Sequence, residues 1–249
     1  MVRKLSFVKK TGEVIRGEAY IPDSIGTRYP TVIFSHGFGG CYKDINHYGQ
    51  DFIERGIASV FFDFCGGGPY SKSDGTMAEM TVSSEIEDLI CVIMEVQWLD
   101  FVDRKSLFLA GESMGGFVTA IAANLVSNMI RGIVLWYPAF VIPDGSRERL
   151  SKGIKECFGL PLSPYFDKQA SKIDIYKEVS NYKGPVRIIH GDIDDIVPLD
   201  YSERAVSIYR DADLIVIPGA GHGYEGEACK IASNATIKFI KKNIETYSA

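Results

Sequence analysis

The sequence predicts an α/β chain: a mostly parallel central sheet with helices on both faces and a cap inserted after the strand ending near Tyr137. Three observations carry this. Short apolar runs recur without polar alternation, helix-length segments separate them, and one long stretch from Ala139 to Gly184 breaks the rhythm.

The apolar runs are TVIFSH from Thr31, IASVFFDF from Ile57, SLFLAG from Ser106, GIVLWY from Gly132, VRIIHG from Val186 and DLIVIPG from Asp213. Near-continuous Val, Ile, Leu and Phe means burial on both faces, which is how strands of a parallel sheet read. The N-terminal LSFVKK, a Thr11-Gly12 turn and EVIRGEAYI read instead as an antiparallel hairpin on the sheet edge.

Between the strands, the segment from Ser84 to Trp98 puts Ile86, Leu89, Ile90 and Ile93 on one face, with Ser84 and Glu87 as a capping-box start. Asp200 with Glu203 marks another start. The segment from Met114 to Val126 is apolar and small on most sides, as a helix pressed on a sheet should be. A C-terminal helix aligns Ile231, Ala235 and Phe239. Alternating strands and helices give parallel pairing through right-handed crossovers.

From Ala139 to Gly184 no clear strand appears, Pro143, Pro161 and Pro164 interrupt the chain, and aromatic residues mix with charge. Structureless excursions of that length are uncommon in compact domains. Residues 139–184 are therefore expected to form a cap on a single domain spanning residues 1–249. No linker composition or internal repeat argues for more.

Composition narrows the function classes. The 249 residues are 46% hydrophobic and 24% charged, with a formal net charge of -5. A mildly acidic chain without a basic run lacks the electrostatic footprint of a nucleic-acid binder, and nothing basic and amphipathic suggests a membrane surface. No uninterrupted apolar stretch approaches the roughly eighteen residues of a membrane span, and the charged N-terminus lacks an apolar signal core, so a cytoplasmic location is expected. The five cysteines are widely spaced and never form a C-x-x-C pair, so neither a disulfide framework nor a zinc site is expected, and no metal or organic cofactor is implied. Oligomeric state is left open, a homodimer included.

The motif with chemistry is GESMGG at 111–116, between the strand SLFLAG and the helix that follows. A serine flanked by glycines in a sharp strand-to-helix turn exposes its hydroxyl, which makes Ser113 a candidate nucleophile. The same turn puts the Met114 amide at a helix N-terminus, where it can hold an oxyanion. The string lacks the Lys-Ser/Thr of a phosphate loop and does not fit G-x-G-x-x-G.

A serine hydroxyl needs a base. Of the four histidines, His36 and His47 precede the serine and His190 closes a strand. In a strand-turn-helix elbow of this type the acid and then the histidine follow the serine, which leaves His222 in the loop GAGHGYEGE. The acid lies in HGDIDDIVP, where Asp192, Asp194 and Asp195 all sit past a strand end. Physics from the sequence does not choose among them. Trp136, Tyr137, Phe140, Tyr165 and Phe166 could wall an apolar acyl or aryl pocket, although aromatic residues at such positions more often simply pack.

HGFGG at 36–40, DFCGGGPYSKSDG from Asp63, GESMGG, HGDIDDIVP and PGAGHGY from Pro218 occur in the order seen in the α/β-hydrolase superfamily. Over nearly its whole length the chain resembles that superfamily, and within it the small carboxylesterases that include feruloyl and cinnamoyl esterases. The resemblance implies that the acid is Asp194, with His190, Gly191, Val197 and Pro198 completing the motif. It also implies that the second oxyanion amide belongs to Phe38. The implied activity is hydrolysis of a small-molecule ester through an acyl-enzyme. A peptidase or amidase of the same fold, or a ligand-binding protein with little turnover, are the alternatives.

Overall fold

The computed structural model describes residues 1–23 and 26–245. Its elements run β1 Val2–Val8, β2 Val14–Tyr20, β3 Tyr29–Ser35, α1 Tyr42–Ile45, α2 Gly49–Ile53, β4 Ala58–Phe62, α3 Val82–Val96, β5 Val102–Glu112, α4 Ser113–Leu125 and β6 Gly132–Trp136. After these come α5 Ile142–Lys152, β7 Glu156–Cys157, β8 Leu160–Pro161, α6 Phe166–Ala170, α7 Ile175–Asn181, β9 Val186–Gly191, α8 Asp200–Ile208, β10 Ala212–Ile217 and α9 Gly226–Glu245.

Eight strands form one sheet in the order β1-β2-β4-β3-β5-β6-β9-β10. The pairings from β4 through β10 are parallel, while β1 with β2 and β2 with β4 are antiparallel, so the N-terminal hairpin sits on the edge as expected.

Alternation along each central strand divides the core in two. Ile33, Leu107, Leu109, Ile133 and Leu135 pack beneath α3, α4, α7 and α8. Val32, Phe34, Phe108, Val134 and Trp136 face the layer of α1, α2 and α9. Successive side chains of a strand point to opposite sides, so a run apolar at every position must be covered on both.

Local signals differ in places from the sequence reading. α3 starts one turn earlier: Thr81 is its cap, its hydroxyl accepting the Ser84 N–H at 3.1 Å while Ser84 Oγ accepts the Thr81 N–H at 2.8 Å. Ser84 and Glu87 therefore lie inside the helix. α8 begins after Leu199 without a side-chain cap, so Asp200 is its first helical residue. On α9 the buried stripe is Ala232, Ala235, Thr236, Phe239 and Ile240, and Ile231 lies outside it, 38% exposed.

β6 and β9 are neighbours in the sheet, yet 49 residues separate Trp136 from Val186, counting residues 137–185. The excursion is not uniform. α7 packs against α4 and α8 in the ordinary helix layer. α5 and α6 pack on each other and α6 also meets α3, β7 pairs with β8, and Leu162, Phe166 and Ala170 join the core cluster shared with α3 and α4.

Candidate active site

The residues that the motifs single out are collected at the carboxyl edge of the sheet, where loops gather in α/β architectures. Phe38 follows β3, Ser113 follows β5, Asp194 follows β9 and His222 follows β10.

Ser113 starts α4 with φ of 48°, a left-handed conformation unusual for a residue with a side chain. Such a backbone costs on the order of 1 kcal/mol or more and persists only where surrounding packing forces it. The surrounding glycines explain the tightness: a Cβ on Gly115 would lie 2.4 Å from the carbonyl oxygens of Ser35 and His36. Ala139 N–H donates to the Ser113 carbonyl at 2.9 Å and ties the turn to the chain leaving β6.

From the serine a line of hydrogen bonds runs inward. Ser113 Oγ lies 2.9 Å from His222 Nε2, and His222 Nδ1 lies 2.8 Å from Asp194 Oδ2. Asp194 Oδ1 accepts the N–H groups of Ile196 at 3.0 Å and Val197 at 2.8 Å. Burial alone would raise the Asp194 pKa, but hydrogen bonds from His190, His222 and Val197 outweigh it and hold the carboxyl well below its ordinary range. Asp194 is therefore an anion at neutral pH, and the tautomer consistent with the network puts the His222 proton on Nδ1.

The other two aspartates of the turn go elsewhere. Asp192 is exposed and accepts the Gly219 N–H at 2.6 Å, bracing the loop that carries His222. Asp195 points to solvent.

The two residues whose amides are expected to hold an oxyanion, Met114 and Phe38, line the same cavity as Ser113. Met114 is the second residue of α4, within the first turn whose N–H groups have no partner inside the helix. Phe38 lies in the loop after β3, which presses so close that a Cβ on Gly37 would come within 3.3 Å of Ser113 Cβ. His36 shapes this loop. Buried and with its pKa lowered by that burial, its neutral ring has Nδ1 2.8 Å from the Gly37 carbonyl and accepts the Phe64 N–H on Nε2 at 3.2 Å.

A cavity of about 200 Å³ opens at Ser113, lined by Phe38, Met114, Val141, Ile142, Gly145, Arg149, Cys157, Leu162, Phe166 and Val197 among others. Larger hollows elsewhere on the surface contain none of the residues singled out by the motifs.

Of the five aromatic residues expected to wall a pocket, only Phe166 lines the cavity at Ser113, tilted against Phe38 at 6.4 Å between ring centres, and Phe140 lines a separate hollow beside α5 and α7. Trp136, the last residue of β6, falls on the opposite face of the sheet, where its indole N–H donates to Thr236 Oγ1 at 3.0 Å. Tyr137 is buried behind His222, ring edge to face at 4.8 Å, with its hydroxyl donating to Glu112 at 2.7 Å. Phe140 packs on Phe117, and Tyr165 points outward, 64% exposed.

What the sequence reading missed is the contribution of α5. Ile142, Gly145 and Arg149 lie at i, i+3 and i+7, one face of a helix, but the segment IPDGSRERLSK is too polar for apolar periodicity to reveal it.

No group of three or more His, Cys, Asp or Glu side chains that could hold a metal occurs among the described residues. No described helix is long and apolar enough to cross a membrane.

Against known proteins, the fold superimposes on ferulic acid-bound Est1E of Butyrivibrio proteoclasticus with a TM-score of 0.84 and 26% identity, covering 96% of this chain and 99% of that one. An uncharacterized 31.7 kDa protein of the traX-finO intergenic region of Escherichia coli is 31% identical over 90 residues, covering 36% of this chain and 30% of that protein. The mitochondrial palmitoyl-protein thioesterase ABHD10 of Bos taurus is 27% identical over 198 residues, covering 70% of this chain and 60% of that protein. Both matches thus span less than two thirds of the curated relative. The family model described as serine aminopeptidase, S33, matches residues 27–165, more than half of the sequence, and the chain belongs to this family of α/β-hydrolase proteins.

Proposed function

We propose that this chain is a serine esterase that cleaves small or aromatic carboxylic esters through an acyl-enzyme. The observation that carries the reading is the continuous line from Ser113 Oγ through His222 to the ionised Asp194, opening on a cavity.

His222 Nε2 takes the Ser113 proton as Oγ attacks the ester carbonyl. The imidazolium that forms is stabilised by Asp194 through Nδ1–H, and the carboxylate remains ionised. The negative oxygen of the tetrahedral intermediate is received by the amides of Phe38 and Met114, the second reinforced by the N-terminus of α4. His222 then returns the proton to the leaving alcohol, and water repeats the sequence on the acyl-enzyme with the same base. This geometry and the motif resemblance support the roles given to Phe38, Met114, Ser113, Asp194 and His222. No metal or organic cofactor enters any step, and a small-molecule ester is the partner.

Cavity size bears on substrate class. A dry cavity of about 150 Å³ holds benzene, so the 200 Å³ here suits one aromatic ring with a short linker or a medium acyl chain. A palmitoyl chain would project into solvent. This favours the Est1E-like reading over the thioesterase suggested by ABHD10. The family description favours peptides as a second reading, since the same serine chemistry serves amides.

Labelling by a fluorophosphonate, lost in Ser113→Ala, tests the nucleophile. Matched ester and amide pairs then separate the two readings: ester turnover exceeding amide turnover by several decades is expected, and the reverse order would overturn the esterase assignment.

A further inference from the structure

Away from Ser113, the cavity lining is apolar except at one place, beside Cys157. There Arg149 contributes a guanidinium to the lining. Its Nε lies 3.2 Å from both Asp167 oxygens, and its Nη2 donates to Asp167 Oδ1 at 2.8 Å and Ser146 Oγ at 3.1 Å. The pair is poorly solvated, with side chains 17% and 9% exposed.

Nη1 is used differently. Its contact is the Cys157 sulfur at 4.0 Å, a weak and distant acceptor. Gly145, one turn back on the same helix, leaves it open: a Cβ there would come within 3.3 Å of Nη1. Gly145 and Cys157 both line this cavity, so Nη1 sits on its side of the guanidinium, with no carboxylate bonded to it, although Arg149 also borders a second hollow on the side of Asp167.

We propose that the Arg149–Asp167 pair makes this protein select acyl groups carrying a neutral oxygen acceptor, an ether, ketone or hydroxyl, toward the end remote from the scissile ester. This rests on the esterase reading. An apolar acyl end leaves Nη1 without a good partner inside the cavity, which disfavours it relative to an acceptor. A carboxylate end is disfavoured for another reason. Asp167 already balances the arginine charge, so a second anion would bring a net negative charge into a site with little water.

The test uses p-nitrophenyl esters of acyl chains four to eight atoms long, each ending in methyl, methyl ketone or carboxylate, with p-nitrophenyl acetate alongside. At the length that reaches Nη1, the ketone should exceed the methyl analogue in kcat/KM by about tenfold or more, with the carboxylate slowest. Asp167→Asn leaves the arginine charge unbalanced and should raise the carboxylate at least tenfold relative to the ketone. The double variant Arg149→Met/Asp167→Asn removes both charges, which protects the fold from a lone buried ion, and should erase the ketone advantage. Thermal midpoints confirm that each variant is folded.

A flat ketone-to-methyl ratio at every length, or an unchanged carboxylate-to-ketone ratio in folded Asp167→Asn, overturns the proposal. If acetate itself is not hydrolysed by the wild type in a Ser113-dependent manner, the esterase reading fails instead.

Discussion

His190 Nε2 lies 3.2 Å from Asp194 Oδ2, the same oxygen that faces His222 Nδ1 at 2.8 Å. The two imidazoles thus converge on one carboxylate oxygen. His190 Nε2 also sits 2.9 Å from the Val197 carbonyl, so this nitrogen carries the proton, and Nδ1 accepts the Ser202 hydroxyl at 2.7 Å. With Ile196 and Val197 donating to Oδ1, Asp194 has a donor on every side and no freedom to turn from His222.

Replacing His190 by Leu should therefore loosen Asp194 and leave Ser202 and the Val197 carbonyl short of partners. A loss of about 2 kcal/mol in stability and of about tenfold to hundredfold in kcat is expected. The sign with pH follows from the depressed Asp194 pKa: its stabilisation is present above the unfolded value of about 3.9 and is lost as pH falls toward the folded value. The stability gap between wild type and His190→Leu should thus be widest near neutrality and narrow below about pH 4. A gap that instead widens in acid would show that His190 does not stabilise the charged carboxylate.

The three aspartates of the turn separate into three expected outcomes. Asp194→Asn should cost about three to four decades in turnover, because an amide cannot hold the His222 tautomer or its charge. Asp192→Ala should leave turnover within about tenfold but cost about 1 kcal/mol through the lost Gly219 contact. Asp195→Asn should be silent in both. Rates and thermal midpoints of the three variants, measured together, decide the assignment.

Much of this was legible in the sequence because the elements concerned obey local rules. Burial on both faces makes β3 to β6 and β9 readable from apolar runs, whereas β10, at the sheet edge, reads as one from its composition although its residues are mostly half-buried, and the elbow around Ser113 needs glycines that announce it. The acid was not readable from physics, since Asp192 and Asp194 differ only in which way a tight turn aims them. The resemblance picked Asp194, and the hydrogen-bonding geometry puts that residue beside His222. Trp136 shows another limit: a run apolar at every position hides which residues face the cavity, and one step of strand register sends it to the α9 layer. Arg149 escaped because its helix is polar and its role depends on Asp167, eighteen residues away.

Acyl length should show a cut-off set by the cavity. Esters up to about eight acyl atoms should gain in kcat/KM with buried area, and a palmitoyl ester should gain nothing further. Gly145→Leu would fill the chamber beneath α5, so the octanoyl-to-acetyl ratio should fall at least tenfold. Equal ratios in the wild type and a folded Gly145→Leu would place the acyl group elsewhere.

A last expectation concerns Glu85, which takes no part in the chemistry. It is 1% exposed on α3, and its Oε2 has no hydrogen-bond partner among the described residues. Burial first, and then the neighbouring Asp88 charge, raise its pKa well above the ordinary carboxyl value. Asp88 has its own pKa raised by burial, but it is paired with Lys9 at 2.6 Å and accepts the Cys65 N–H at 2.7 Å, which both oppose that rise. Glu85 therefore holds a proton in the folded chain that the unfolded chain releases above its pKa of about 4.3. Where the native state binds the extra proton, stability falls as pH rises, by at most about 1.4 kcal/mol per pH unit for one group. Glu85→Gln keeps the shape and removes the titration. Its stability relative to the wild type should grow from pH 5 to pH 8, read as a widening difference in denaturant midpoint at constant m-value. A difference that stays flat across that range would mean that Glu85 ionises as readily in the folded protein as in the unfolded one.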